Sequence, residues 1–238
     1  MLQPIVANDR LTALYECLVL DRKVGAHYLT TVDALALITQ RFALVPMKFE
    51  SLALKGSMLV TPQPLADSRG FFARTFCVQE FAEAGLAVDV VQASISFNAR
   101  RGTVRGMHFQ WPPSREDKLV RCLKGSVFDV LLDLRPDSPS YLRHVTVELD
   151  EVNRDAVFIP HGVAHGFQTL ADSTEVLYQM TNTFAPDLAA GVRWNDPVFA
   201  IQWPMRSGII MSERDANCPD FDCQAFESEL ARRSEAVT

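Results

Sequence analysis

From about Met47 onward the chain is a succession of short β-rich runs cut at close intervals by Gly, Pro, Asn and Asp. This texture constrains the fold more than any single motif, because closely spaced strands with turn residues between them close into an antiparallel sandwich or barrel. The runs are Ala87 to Ser96, Lys118 to Leu123, Val127 to Leu134, His144 to Leu149, Ala156 to Ile159 and Glu175 to Met180. Lys124-Gly125 lies between two of them and reads as a hairpin turn, since Gly accepts positive φ without steric cost. One helix interrupts the β texture, at Val78 to Ala84, with Phe81 facing inward. The core is therefore expected to be all-β.

Both ends differ from this middle. Leu11, Leu14, Tyr15 and Leu18 fall at helical spacing, and Val32, Leu35, Leu37 and Ile38 follow the candidate cap Thr31, so residues 1–46 read as a helical extension of two short helices. Beyond about Pro219 the chain is polar and charged; residues 221–238 read as a tail, helical at most over Gln224 to Arg232. The 47–220 segment between them is the expected functional domain. With 238 residues, 48% hydrophobic and 22% charged, the chain can bury a substantial core.

A net charge of -6 argues against a broad nucleic-acid surface, so any anion site must be a focal cluster of Arg and Lys. No apolar run approaches the roughly 20 residues that span a bilayer, and charged residues such as Asp9, Arg10 and Lys23 break up the N-terminal region, which reads as neither signal peptide nor anchor. Five cysteines without a CxxC pair suit reduced thiols and a cytoplasmic location better than a disulfide framework. The Cys218 to Cys223 spacing is a weak metal hint.

Chemistry concentrates in three places. In Arg105-Gly106-Met107-His108-Phe109-Gln110, strand alternation sends Met107 and Phe109 to one face and His108 and Gln110 to the other, separating a core pair from a cavity pair. A histidine in a barrel lumen suits proton transfer. The simpler reading of a lone histidine, a buried ring satisfied by backbone, competes with it; the cations of the neighbouring Lys118-Leu119-Val120-Arg121 weigh against that reading. The second place is Ile159-Pro160-His161-Gly162-Val163-Ala164-His165-Gly166-Phe167, a turn leading into a strand that His165 is expected to open. Its two histidines suggest metal ligands and resemble a segment of metal-binding cupins, but Gln110 stands where a further His would complete the set and Lys118 would oppose a cation. No metal is expected. The third place runs from Gly191 through Trp194-Asn195-Asp196-Pro197 and Trp203-Pro204 to Ser212-Glu213-Arg214-Asp215, where the tryptophans read as core and nothing local says that Asp215 meets His108.

Taken in order, Asp67-Ser68-Arg69-Gly70-Phe71-Phe72, the His108 and Lys118 segments, Asp129 to Arg135 with Ser138-Pro139, the His165 segment, Leu177-Tyr178 and the Trp194 to Asp215 stretch resemble the dTDP-4-dehydrorhamnose 3,5-epimerase family over about residues 47–220. The resemblance implies a cupin-like antiparallel β-jelly-roll, here with short N-terminal and C-terminal helices, usually a homodimer, acting without metal or nicotinamide on a nucleotide-diphospho-4-keto-6-deoxysugar. It implies His108 as catalytic base, Asp215 as the carboxylate that orients it, Lys118 beside the developing enolate and Tyr178 as the acid on the opposite face. It further implies that Arg69, Gln92, Arg105 and His165 contact the nucleotide diphosphate.

The chain departs from the family pattern at Arg74, where Glu is usual, at Ser94, where Asn is usual, and at Phe184, where a second Tyr commonly follows the catalytic one. These departures bear on nucleotide and sugar specificity and on whether one centre or two is inverted. The other readings are a mono-epimerase at C3 or C5, a sugar-nucleotide-binding cupin without catalysis, and a metal-dependent cupin oxygenase.

Overall fold

The computed structural model describes residues 46–235. The two helices expected between Leu11 and Ile38 lie outside the described residues. Alternating runs between 48 and 191 form thirteen strands: β1 (Lys48–Ser51), β2 (Met58–Thr61), β3 (Leu65–Asp67), β4 (Gly70–Phe72), β5 (Gln92–Asn98), β6 (Val104–Gln110), β7 (Lys118–Lys124), β8 (Ser126–Asp133), β9 (His144–Asp150), β10 (Ala156–Ile159), β11 (Val163–Thr169), β12 (Thr174–Met180) and β13 (Ala189–Gly191). Among the described residues, three α-helices accompany them, α1 (Val78–Glu83), α2 (Glu213–Ala216) and α3 (Cys223–Glu235), with one 3-10 turn at Pro186–Leu188.

The strands pair antiparallel in a six-stranded sheet, order β1-β2-β10-β7-β12-β5, and a five-stranded sheet, order β13-β6-β11-β8-β9, with β3 and β4 as a separate hairpin. This is the expected cupin-like jelly-roll. Its sheets share an inner apolar layer in which Val120, Cys122, Val157 and Val176 meet Val127, Leu131, Val163 and Phe167. The period of two along each strand then sends the alternate residues outward. On the outer face of the six-stranded sheet, Leu119, Ala156 and Phe158 pack under Phe81 of α1, as expected for that helix. On the outer face of the five-stranded sheet, Met107, Phe109, Val130 and Leu132 pack under Phe199, Ile201, Trp203 and Phe226.

Three details differ from the sequence reading. Lys124-Gly125 joins β7 of one sheet to β8 of the other, so it is a corner between sheets and not a hairpin. Gly125 (φ +75°) is required there because a Cβ would lie 2.5 Å from the Thr174 hydroxyl oxygen. Turn chemistry specifies a reversal, and long-range pairing decides which strand receives it. Residues 87–91 are not strand; Leu86 and Val88 are instead buried against Phe81. The polar tail is more ordered than expected, because α3 extends over Cys223–Glu235 and buries Phe226 beside Trp111 and Phe221.

Candidate active site

Inward-facing polar residues of both sheets line a single cavity of about 330 Å³. From the five-stranded sheet come Arg105, His108 and Gln110 of β6 and His165 of β11; from the six-stranded sheet come Lys118 of β7, Tyr178 of β12 and Gln92, Ser94 and Ser96 of β5. The register explains the convergence. His108 lies across from His165, Val120 from Tyr178, and Tyr178 from Ser94, so neighbouring strands present the same face at the same height. A larger cleft of about 590 Å³ beside α3 holds neither His108, Lys118 nor Tyr178.

His108 is held by a residue 107 positions away. Its Nε2 meets Asp215 Oδ1 at 2.7 Å, leaving the other ring nitrogen free to accept a proton. Asp215 is buried and sits in α2, whose N-cap Ser212 accepts the Asp215 amide hydrogen at 3.1 Å. Burial pushes the Asp215 carboxyl up, but hydrogen bonds from His108, the Gly106 amide and the Ser212 hydroxyl outweigh it and hold the group below its ordinary value. The dyad is therefore a histidine backed by a carboxylate that remains ionised and stabilises the imidazolium formed when the ring takes a proton.

A second buried pair lies beside it, with His165 Nε2 2.8 Å from Asp129 Oδ2. His165 is the third residue of β11 rather than its first, because pairing already begins at Val163 with Asp133. The Tyr178 ring stands edge-on to His165, centroids 5.8 Å apart. Desolvation, and then the Asp129 charge, push the Tyr178 phenol well above its ordinary value, while Arg105 opposes them. Such a phenol keeps its proton until a strong base, such as a carbanion, takes it. Arg105 is braced by Asn98, its Nε 2.8 Å from Asn98 Oδ1. Lys118 Nζ meets Glu116 Oε1 at 3.1 Å.

Two of the expected ligand residues are placed differently from the rest. Arg69 does not line the cavity of its own chain; it is 87% exposed on the β3–β4 hairpin, paired with Asp67. Gln92 lines the cavity, and its Oε1 accepts the Phe184 amide hydrogen at 3.0 Å, which leaves both Nε2 hydrogens for a ligand. Arg121, of the same motif as Lys118, points outward, where it is buried and donates to the Thr75 carbonyl. His161 and His165 do not converge: His161 Nδ1 contacts Asp117 at 2.9 Å on the turn, while His165 faces Asp129.

Asp129, Glu116 and Arg214 were not singled out for roles in the sequence. Asp129 carried a readable signal, a carboxylate at an inward position of the apolar strand Ser126–Asp133. Glu116 and Arg214 carried none, since both lie among other charges in irregular or short helical segments.

A model of the family described as dTDP-4-dehydrorhamnose 3,5-epimerase matches residues 51–222. The chain belongs to that family. It is thus a carbohydrate epimerase, an isomerase. Its relatives include a dTDP-4-dehydrorhamnose 3,5-epimerase of Sinorhizobium fredii, 38% identical over 173 residues that cover 73% of this chain and 89% of the relative. A dTDP-4-dehydrorhamnose 3-epimerase of Streptomyces niveus is 39% identical, covering 71% of this chain and 81% of its own. Among solved structures, a 4-keto-6-deoxy sugar epimerase from the novobiocin gene cluster of Streptomyces spheroides superimposes with TM-score 0.72 at 37% identity, covering 79% of this epimerase and 96% of that chain.

Proposed function

We propose that this epimerase inverts C3 and C5 of dTDP-4-dehydro-6-deoxyglucose, in deoxysugar biosynthesis of the dTDP-rhamnose type. One observation carries the reading: His108, backed by Asp215, and Tyr178 belong to opposite sheets and line the same cavity. The C4 ketone makes the hydrogens on C3 and C5 removable, because the electron pair left on carbon delocalises onto oxygen as an enolate. His108 takes the proton from one face, and Asp215 stabilises the imidazolium. Lys118 stabilises the charge that develops on O4, an interaction stronger in the transition state than in the ground state. Tyr178 returns a proton to the opposite face, and the carbon is inverted. The net reaction exchanges one proton for another and needs no oxidant. Arg105, His165 and the Nε2 of Gln92 are assigned to the nucleotide diphosphate, for which Arg supplies paired donors.

The same reading makes the protein a homodimer. β5 is an edge strand whose outward Ile95 and Phe97 are 61% and 56% exposed, and Phe71 and Phe72 lie exposed on the hairpin that carries Arg69. A second copy covering these residues removes an apolar edge from water. It also reconciles Arg69 with a nucleotide-binding role, the hairpin of one chain serving the cavity of the other. Mixing Arg69→Ala with His108→Ala protein, with subunit exchange, is then expected to recover turnover that neither variant has alone, since half of the mixed sites contain both residues. No recovery in mixed dimers counts against the shared site. A cytoplasmic location fits the chain's thiols and its nucleotide-linked substrate.

The second reading, inversion at a single carbon, is favoured by Phe184, which lines the cavity half exposed and lacks the hydroxyl of a tyrosine. Incubation of the wild type with the 4-keto sugar nucleotide in heavy water separates the readings. Deuterium is expected at both C3 and C5. Label at one carbon alone establishes the mono-epimerase, with Phe184→Tyr then expected to restore the second; no label at all points to a binding protein.

A further inference from the structure

We propose that Glu116 is a positioning residue for the enolate-stabilising cation, its carboxylate fixing the direction of the Lys118 ammonium; the inference rests on the epimerase reading above. Among the described residues lining the cavity, Glu116 is the one carboxylate, set among Arg105, Lys118 and Arg214. A carboxylate there weakens the hold on a diphosphate, so its presence calls for a compensating role. It is not solvated, with a side chain only 6% exposed, and its Oε1 lies 3.1 Å from Lys118 Nζ.

The two partners differ in stiffness. Lysine carries its charge on a flexible four-carbon stem, which loses rotamer freedom when it is aimed. Glu116 directly precedes a residue held from two sides. The Asp117 amide donates to the Thr181 hydroxyl at 2.8 Å, and the Thr181 amide donates back to the Asp117 carbonyl at 3.1 Å. The Asp117 carboxylate in turn accepts the His161 amide hydrogen at 2.7 Å. Lys118 itself begins β7, with Ile159 on one side and Met180 on the other. The stem of Lys118 therefore starts from a central strand, and its tip ends on a fixed acceptor. One ammonium hydrogen is used by Glu116 and two remain for the ketone oxygen and a further acceptor.

The test compares kcat and KM, with deuterium uptake from heavy water, for Glu116→Ala, Glu116→Gln, Lys118→Ala and the Glu116→Ala, Lys118→Ala double variant. Loss of aim is expected to lower kcat in Glu116→Ala by about 10- to 100-fold without raising KM. Glu116→Gln keeps an acceptor oxygen and is expected to retain turnover within about threefold of wild type, with KM equal or lower. In the Lys118→Ala background, Glu116→Ala is expected to have no further effect, because the group it positions is gone. Should Glu116→Ala unfold, Glu116→Leu fills the volume without an acceptor and must give the same kcat loss. A kcat within about twofold of wild type in both, or an undiminished loss without Lys118, overturns the inference alone. A wild type that takes up no deuterium overturns the epimerase reading and this inference with it.

Discussion

His108→Ala is expected to retain the fold and to lose about 10²- to 10⁴-fold in turnover, the usual contribution of a general acid or base. The ring can be removed without collapsing the core, because its side chain is 44% exposed to the cavity and its neighbours Met107 and Phe109 hold the strand from the outer face. Deuterium uptake at C3 and C5 should fall together, since one base serves both centres. Asp215→Asn is expected to be impaired as well. It preserves shape but removes the charge that stabilises the imidazolium, and the amide can present its Nε2-facing group to His108 as donor or acceptor only, not as an anion. Steady-state turnover and far-ultraviolet circular dichroism on the same preparations check both variants. Near-native turnover in His108→Ala would disprove the assigned base, and an unimpaired Asp215→Asn would disprove the need for an ionised partner.

Gly106→Ala is expected to destabilise the fold by roughly 3 kcal/mol or more, combining overpacking with a backbone conformation closed to L side chains. Gly106 has φ +117°, and a Cβ on it would fall 2.5 Å from the Gly166 Cα and 2.7 Å from the His165 carbonyl oxygen. Both obstacles are backbone, so no rotamer change relieves them. The two glycines let β6 and β11 approach closely where the ladder shifts register between His165 and Phe167, which is where His108 and His165 stand side by side. The substitution therefore reaches chemistry as well as stability. Urea denaturation should give a lowered midpoint, and any folded fraction should turn over slowly. A variant of wild-type midpoint would show that the strands can separate by the width of a methyl group at no cost.

Alternation was the most legible signal in the chain. It separated Met107 and Phe109 from His108 and Gln110, and it placed Phe81 on the inward face of a helix, because a period of two or 3.6 is imposed by backbone geometry whatever the surroundings. Where expectation failed, the missing information was non-local. Lys124-Gly125 has the chemistry of a tight turn in either a hairpin or a corner, and the choice depends on whether β8 finds β7 or β11. The C-terminal segment is too polar to read as core, yet a single residue, Phe226, ties it to the aromatic layer of Trp111 and Phe221. Arg69 is carried by its motif, but its place relative to the cavity depends on the hairpin that holds it.

The sequence by itself determined the strand texture, the inward and outward faces and, through motifs in register, the family. That Asp215 meets His108 was implied by the family resemblance and by no local pattern, and only the tertiary structure decided that Asp129 backs His165 and that Glu116 holds Lys118. The physical reason is that side-chain type and local periodicity are properties of a short stretch of chain, whereas a 2.7 Å contact between residues 107 positions apart is fixed by sheet order, by register and by a capped turn of helix at the far end of the domain.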